Sequence, residues 1–489
     1  MVGKNTICTG WAVLVLFAAT GGEVKAQNAV FSPEVIQTIE NSRVYDAFWS
    51  VIVRDSTGKI LEGYNFDKIV RPASNLKLLT SAMVLKELGP DFRYSTKMYG
   101  LGSQSGNSWQ GDIIIRGSGD PSISGTFYNK DRFHVFEKFY RALDSLGIRK
   151  VQGSLIGNDS YFDQRVYPEG WSWDDLTFYY GVEINALSFN ENAVDLRVYA
   201  NNSIGEKPHI EWFPFDTDYV EFVNKQVITP AYSEYDESYR RIMGTNTILL
   251  RSTLPQNYVE KESLSIMDAP RFFVDTFEKY LSQGNITFSR PFSIESHTRN
   301  WESSRYTILE EHQSVPLRQL LQEVNKESNN FYAEMLLKTA AAEHYKTEGS
   351  TELGISLIET FAMDMGMDIE DLEISDGSGL ASSTLMTSED LSRMLVKMRS
   401  APHFEVYKNS LSIAGRDGTL EHRFRNSPVA GKLHGKTGYI SGVRALSGYL
   451  ESASGQPLVV SIITNNYTES TSYVDSVQEE IIQQIYYKY

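Results

Sequence analysis

Two strongly helical segments of this chain lie far apart in the sequence, and their separation limits the possible folds more than any other feature. One follows Pro72 and stops at Gly89, and the other begins after Ser328. About 250 residues separate Lys77 from Ser328, whereas a structureless loop inside a compact domain rarely exceeds about 15 residues. We therefore expect a folded unit between the two helical segments.

The intervening stretch has the pattern of β structure. Short runs at 112–116, 194–199 and 246–252 are rich in β-branched side chains, and turn-forming clusters such as 117–121 separate them. A helical segment is predicted at 271–281, near the end of the stretch. Since the whole chain has 489 residues, and one core usually serves roughly 100 to 200 residues, we expect two or three domains.

The sequences on either side of this stretch predict a mixed α/β domain. Two β-like runs at 48–54 and 60–64 flank a turn and predict a hairpin. Later in the chain, helical periodicity alternates with β-like runs. The predicted helices are 315–324, 329–344, 352–365, 388–398 and about 473–488, and the predicted strands are 444–450 and 458–464.

The first 26 residues are typical of an export signal. Lys4 supplies a positive charge, residues 11–19 form an apolar run, and small residues at 24–26 give a cleavage site. That apolar run is too short to span a bilayer, which takes about 20 residues. Cys8 precedes the run, so it is not at a lipoprotein position. We expect an exported, periplasmic or cell-wall-associated protein that is soluble after cleavage, with no integral membrane segment.

Composition excludes several classes of function. Cys8 is the only cysteine, so the mature chain has no disulfide, no thiolate nucleophile and no cysteine metal site. The formal net charge of −16 argues against nonspecific binding to nucleic acid. None of the eight histidines lies in a His-Glu-x-x-His pattern. We therefore expect no metal and no cofactor.

A candidate nucleophile lies at the start of the first helical segment. Ser74 and Lys77 are three residues apart, so on a helix they project from the same face, and the lysine can act as a base for the serine. The free amides at a helix start can also stabilise an oxyanion. The same spacing recurs at Ser56 and Lys59 in the predicted hairpin turn, where we expect it to have no function. An exposed serine-lysine pair is therefore the alternative interpretation.

Two further motifs follow in the chain. Residues Ser328-Asn329-Asn330 stand directly before a predicted helix, where the alternative interpretation is a helix cap. The only Lys-Thr-Gly of the chain, at 436–438, opens a β-like segment, where the alternative is an ordinary turn lysine beside a glycine. Each motif alone predicts little.

The order Ser-x-x-Lys, Ser-x-Asn, Lys-Thr-Gly matches the signature of penicillin-binding proteins and β-lactamases. Over nearly all of its mature length, the chain resembles one branch in particular, the class C low-molecular-mass penicillin-binding proteins, which are D-alanyl-D-alanine carboxypeptidases and endopeptidases. The resemblance is carried by the segments at 72–77, 119–121, 159–163, 170–175, 186–192, 328–330, 376–380, 417–420 and 434–438, which include the three motifs.

The resemblance implies a transpeptidase-like α/β domain, with an antiparallel sheet flanked by helices, that is split by an insert of two β-rich domains. After the signal peptide predicted at 1–26, the expected domains are a catalytic domain at 27–95 and 308–489, a first inserted domain at 96–192 and 288–307, and a second one nested at 193–287.

The resemblance also implies roles for individual residues. Ser74 would attack the carbonyl between two D-alanines, Lys77 would accept its proton, and Ser328 would pass a proton to the leaving amine. The backbone amides of Ser74 and Tyr439 would form the oxyanion hole. The substrate, a peptidoglycan stem peptide, would be bound by Asn330, Lys436, Thr437, Gly438 and Tyr439. β-Lactam antibiotics would acylate Ser74 as inhibitors.

The sequence departs from many relatives at two places near these motifs. Tyr439 follows Lys-Thr-Gly where many have threonine or serine, and Ala381-Ser382 stand where many have Ser-Arg. These departures concern specificity more than catalysis. We also predict a pocket for a side chain of the stem peptide, formed by Trp171, Asp174, Tyr179, Ser378 and Leu380. For the three insert residues among them, the alternative interpretation is a cluster that packs two domains together.

Two other functions share these sequence features. A β-lactamase or esterase would have the three motifs but would release bound penicillin rapidly. A non-catalytic protein would bind the cell wall through the insert, but its motifs would have no reason to remain intact. We therefore predict an exported serine D,D-peptidase.

Overall fold

The computed structural model describes residues 33–214 and 217–489, so the predicted signal peptide lies outside the described residues. The helices are α1 (Pro33–Glu40), α2 (Leu76–Leu88), α3 (His134–Ser145), α4 (Ala269–Gln283), α5 (Leu317–Asn325), α6 (Asn330–Tyr345), α7 (Thr351–Asp364), α8 (Ser388–Met398), α9 (Phe404–Asn409) and α10 (Thr471–Lys488). Each helix predicted from the sequence is present, within a few residues of its expected bounds.

The strands are numbered in chain order. In the first part of the chain they are β1 (Phe48–Asp55), β2 (Ile60–Tyr64), β3 (Ile69–Val70), β4 (Ser95–Ser105), β5 (Ser108–Arg116), β6 (Lys150–Val151), β7 (Leu155–Asn158), β8 (Ala193–Tyr199), β9 (His209–Phe213), β10 (Glu221–Asn224), β11 (Val227–Thr229) and β12 (Tyr239–Arg241). They continue as β13 (Thr247–Leu250), β14 (Thr253–Pro255), β15 (Val259–Ser265), β16 (Thr287–Phe288), β17 (Ser293–Glu295), β18 (Tyr306–Gln313), β19 (Met386–Thr387), β20 (Ser412–Ile413), β21 (Leu433–Ile440), β22 (Val443–Glu451) and β23 (Pro457–Asn465).

The chain's two ends share one antiparallel sheet, ordered β2-β1-β23-β22-β21-β20. The predicted hairpin is β1 and β2. Strand β23 is almost continuously apolar because both of its faces are covered, and its residues 458–465 are all buried. Helices α1 and α10 cover one face, and the cluster built around α2 and α6 covers the other. This three-layer arrangement places β21 beside the start of α2.

Helix α2 lies at the centre of this domain. Its residues 76–85 are all buried, which explains why the segment is apolar on nearly every side rather than along one stripe. It packs against α5, α6 and α7. Ser74 lies directly before this buried helix, so the packing of α2 fixes its position.

The insert begins with β4 and returns with β18, which pair with each other in a seven-stranded sheet. Smaller sheets, β9-β8-β15, β10-β13-β12 and β11-β14, follow within it. One continuous cluster of buried apolar side chains runs from β5 through α3 and α4 to β13. The domain boundary predicted between 307 and 308 lies inside β18. The buried apolar cluster extends across the domain boundary predicted between 192 and 193. The division into domains remains a prediction.

Candidate active site

Ser74 lies in a 3-10 turn, Ala73–Asn75, directly before α2. Asn75 anchors the turn to the central sheet, because its Nδ2 donates to Oγ of Ser447 at 2.7 Å. From the other side Gly379, with a φ of +77°, approaches so closely that a Cβ there would lie 2.0 Å from the Ala73 carbonyl oxygen. The turn is therefore held between the sheet and the loop around Gly379.

Lys77 is fully buried, and three oxygens surround its amine. Nζ lies 2.9 Å from Oγ of Ser74, 2.6 Å from Oδ1 of Asn330 and 2.7 Å from the carbonyl oxygen of Ser378. The last two can only accept hydrogen bonds, so they take the two N–H groups of a neutral amine. Its lone pair is then left for the hydroxyl hydrogen of Ser74, which is the arrangement of a general base.

Burial lowers the pKa of Lys77 to about 7, because the charged amine loses its hydration. Two buried acids, Asp376 and Glu334, oppose this shift. Glu334 is itself buried, which raises its pKa to about 8. A lysine with a pKa near neutrality can be deprotonated in a large fraction of molecules at pH 7, as a base must be.

Ser328 and Lys436 form a second pair beside the first. Nζ of Lys436 donates to Oγ of Ser328 and to the carbonyl oxygen of Thr437, both at 2.7 Å. Ser328 adopts a φ of +62°, an uncommon conformation for a residue with a side chain. Burial lowers the pKa of Lys436 well below its usual value, and the nearby Lys77 lowers it further. The two pairs thus form one electrostatic unit.

The predicted helix cap and the candidate site occur in the same segment. Asn329 caps α6, since its side chain accepts from the backbone N–H of Tyr332. Asn330 is the first residue of α6, and besides its contact with Lys77 its Nδ2 donates to the carbonyl oxygen of Tyr180 at 2.9 Å. The cap thus orients the side chain that holds Lys77, and an insert residue fixes that side chain's other end.

Strand β21 forms the remaining wall. Gly438 passes so close to the nucleophile turn that an added Cβ would lie 2.8 Å from the Pro72 carbonyl oxygen. Oγ1 of Thr437 donates to Oγ1 of Thr419 at 2.7 Å, and the Tyr439 side chain is 57% exposed. A serine hydroxyl, an amine whose pKa is lowered to about 7 and a second serine–lysine pair thus meet beside a strand edge, which suits acyl transfer.

The chain matches the D-Ala-D-Ala carboxypeptidase 3 (S13) family over residues 32–485. It belongs to this family. A D-alanyl-D-alanine carboxypeptidase of Actinomadura sp. strain R39 is 29% identical over 431 residues, which cover 86% of this chain and 77% of that protein. The D-alanyl-D-alanine carboxypeptidase DacB of Haemophilus influenzae is 24% identical over 417 residues, covering 84% and 83%.

Solved structures show the same fold as this S13 peptidase. The crystal structure of penicillin-binding protein 4 from Haemophilus influenzae matches with a TM-score of 0.81 at 21% identity, covering 93% of this chain and 98% of that one. A structure of the same protein complexed with a β-lactam has a TM-score of 0.76 at 20% identity and the same coverage. The predicted family, the multidomain α/β fold class with its transpeptidase-like domain and the serine D,D-peptidase class are confirmed.

Only three of the five residues predicted for the side-chain pocket lie at the loop that carries Asp376. Nε1 of Trp171 donates to Oδ2 of Asp376 at 3.0 Å, and Oγ of Ser378 donates to the same oxygen at 3.0 Å. Leu380 is partly buried in the same loop. The other two members are more open. The exposed Asp174 accepts from Ser172 in its own turn, and Tyr179 is 53% exposed. The pocket remains a prediction.

Several residues that shape the S13 site were not identified from the sequence. Asp376 fixes its loop by accepting from the backbone N–H groups of Gly379 and Ala381. Its segment, 376–380, carried the family resemblance, but Asp376 itself was not predicted as a site residue. Glu334 could have been found, since it lies four residues after Asn330 on one helix face. Tyr180 contributes only a backbone carbonyl, for which its side chain gives no signal.

Within residues 33–214 and 217–489, no helix is long and apolar enough to cross a membrane. In the same ranges, no three His, Cys, Asp or Glu side chains are grouped in a way that could hold a metal ion.

Proposed function

We propose that Ser74 is the residue acylated by the substrate and that Lys77 is its general base. The observation that carries this proposal is the buried amine of Lys77, which lies 2.9 Å from Oγ of Ser74 while two carbonyl-type oxygens occupy its N–H groups. On attack, the Ser74 hydroxyl proton moves to Nζ as the bond to the D-alanyl carbonyl carbon forms. The start of α2 stabilises the developing oxyanion through its free amides.

The second pair acts on the leaving group. Ser328 relays to the departing amine the proton that Lys77 took from Ser74, and Lys436, whose Nζ donates to Oγ of Ser328 at 2.7 Å, holds that hydroxyl in place. Lys436 with Thr437 attracts the terminal carboxylate of the substrate, and Asn330 binds its amide. The close approach of Gly438 to the nucleophile turn supports an oxyanion hole made of the N–H groups of Ser74 and Tyr439. Water then releases the shortened peptide.

The proposed substrates are peptidoglycan stem peptides ending in D-alanyl-D-alanine and the D,D-cross-links made from them. β-Lactams are the expected covalent inhibitors, as the β-lactam complex of the Haemophilus influenzae relative suggests. We also propose that the protein is exported and acts in the periplasm or the cell wall, because the sequence at 1–26 has the features of a cleaved signal.

Labelling with a fluorescent penicillin tests the nucleophile. Wild-type protein should be tagged covalently, Ser74→Ala should not, and Ser56→Ala should be tagged like the wild type because it lies in an exposed turn. A stable tag in Ser74→Ala would contradict the assignment.

Turnover separates the remaining functions. Release of D-alanine from a monomeric pentapeptide measures carboxypeptidase activity, and cleavage of a cross-linked muropeptide dimer measures endopeptidase activity. Rapid hydrolysis of penicillin with neither peptide activity would instead identify a β-lactamase.

A further inference from the structure

A groove in the insert lies against Asn329, the residue that follows Ser328 in the chain. It consists of two adjoining cavities of about 340 and 550 Å³ that share Tyr179 and Arg197 in their walls. Glu191, in the wall of the larger cavity, accepts at Oε2 from Nδ2 of Asn329 at 2.9 Å. Since Asn329 follows Ser328 in the chain, this wall of the insert groove contacts the residue next to the serine that we propose acts on the leaving group.

The insert groove carries cations without ion-pair partners. The pairing of β8 with β15 sets Arg197 directly opposite Lys261, and both side chains are exposed. Like charges opposite each other weaken a sheet. Neither makes an ion pair with the residues that the structure describes, and the same holds for the exposed Lys130 at the rim of the larger cavity. Three cations without an ion pair in one groove are unusual in a protein of net charge −16.

The acidic side chains of the groove are largely occupied or weakly charged. Asp195 pairs with Arg132 and accepts from Ser263. Glu262 is partly buried, and burial raises its pKa to about 7. Glu211, which lies opposite Arg197 on β9, contacts Tyr199 and His209 rather than Arg197. Arg197 and Lys261 are therefore cations of the groove that no described acid neutralises by an ion pair, and they can meet an anionic ligand.

We propose that the insert groove binds the second, carboxylate-bearing stem peptide of a cross-linked substrate. This inference rests on the proposed function. When D-alanine leaves, nothing extends beyond Ser328, but when a cross-link is cut the leaving group is a whole peptide with free carboxylates. That peptide must emerge beside Ser328 and Asn329, where the groove opens. Its carboxylates meet Arg197 and Lys261, so the groove favours cross-link hydrolysis over release of free D-alanine.

The test is the double variant Arg197→Glu/Lys261→Glu. We expect kcat/KM for a cross-linked muropeptide dimer to fall about tenfold or more, as for the loss of two charge contacts. The loss should shrink at high salt, which screens exposed charges. The kcat/KM for a monomeric pentapeptide and the rate of penicillin acylation should stay within about twofold, which also shows that the protein folds. Lys207→Glu/Arg251→Glu, an equal charge change on exposed insert residues outside the groove, is the matched control.

Each other outcome has a definite meaning. If kcat/KM falls equally for the dimer and the pentapeptide, the groove does not select the second stem. The same conclusion follows if the control variant loses as much kcat/KM for the dimer as the groove variant does. If only binding to intact cell wall falls while dimer cleavage is unchanged, the groove holds a wall polymer and the proposal is wrong. In all these cases continued penicillin acylation leaves the proposed function standing. A wild-type protein that neither reacts with penicillin nor cleaves a peptide would overturn both.

Discussion

Two regions of the molecule have a serine and a lysine at the same spacing, but only one of the two lysines is buried. Ser56 and Lys59 lie in the turn between β1 and β2, where both are exposed. Oδ1 of Asp55 accepts from the backbone N–H groups of Thr57 and Lys59 at 2.8 and 3.0 Å, so the Asp55 side chain closes the turn. Ser74 and Lys77 lie at the start of a buried helix, where the two side chains meet at 2.9 Å.

The comparison shows that burial, rather than spacing, makes a lysine into a base. An exposed amine stays hydrated and charged at neutral pH, whereas the fully buried Lys77 has its pKa lowered to about 7. Helix geometry puts the serine and the lysine on one face. The neighbouring acceptors then decide which part of the amine faces the serine.

The largest expected difference between the two regions is at the lysines. Lys77→Met should slow penicillin acylation by roughly 10²- to 10⁴-fold, the usual contribution of a general base, whereas Lys59→Met should leave it within about twofold. Stopped-flow acylation rates measure this, with thermal unfolding as the check on folding. Equal rates in a folded Lys77→Met and in Lys59→Met would remove Lys77 from the mechanism.

A smaller difference is expected at the glycines. Gly438→Ala should slow acylation by roughly tenfold to a hundredfold, because its Cβ would press on the Pro72 carbonyl oxygen and displace the nucleophile turn, and misplacement of about 1 Å can cost a hundredfold. Gly58→Ala, at a φ of +90° with only ordinary contacts, should instead cost about 1 kcal/mol of stability and no acylation rate. Acylation kinetics and thermal unfolding of both variants check this. Slower acylation in Gly58→Ala would contradict the expected difference between the two regions.

The smallest expected effect concerns the pH profile. Since the neutral form of Lys77 is the base, the acylation rate should rise with pH through about 7 and level off above. Glu334 raises the pKa of Lys77, so Glu334→Gln should move the midpoint to lower pH. The midpoint should shift by only a fraction of a pH unit. Burial raises the pKa of Glu334 to about 8, so this carboxyl is mostly protonated and uncharged near pH 7. The exposed Glu359→Gln is the control, and a midpoint that moved upward would contradict this account.

Most of the secondary structure followed from local patterns, but the packing of the insert did not. The start of α2 was marked by Pro72 and its end by Gly89, because helix ends depend on nearby residues. The expected limit of the insert at 307 falls inside β18, whose partner β4 is about 200 residues away in the chain. A pairing between distant strands leaves no signal in the strand itself.

The sequence alone determined which residues can do chemistry here: the order of three short motifs, the lack of cysteine after Cys8 and the long interval before Ser328. Those are properties of residue type and spacing. Only the tertiary structure decided that Lys77 is buried among Ser74, Asn330 and Ser378, that the Tyr180 carbonyl contacts Asn330 from the insert, and that cations line a groove whose wall contacts Asn329. The reason is physical, because burial, and with it the charge state of an amine, depends on segments that are remote in the chain.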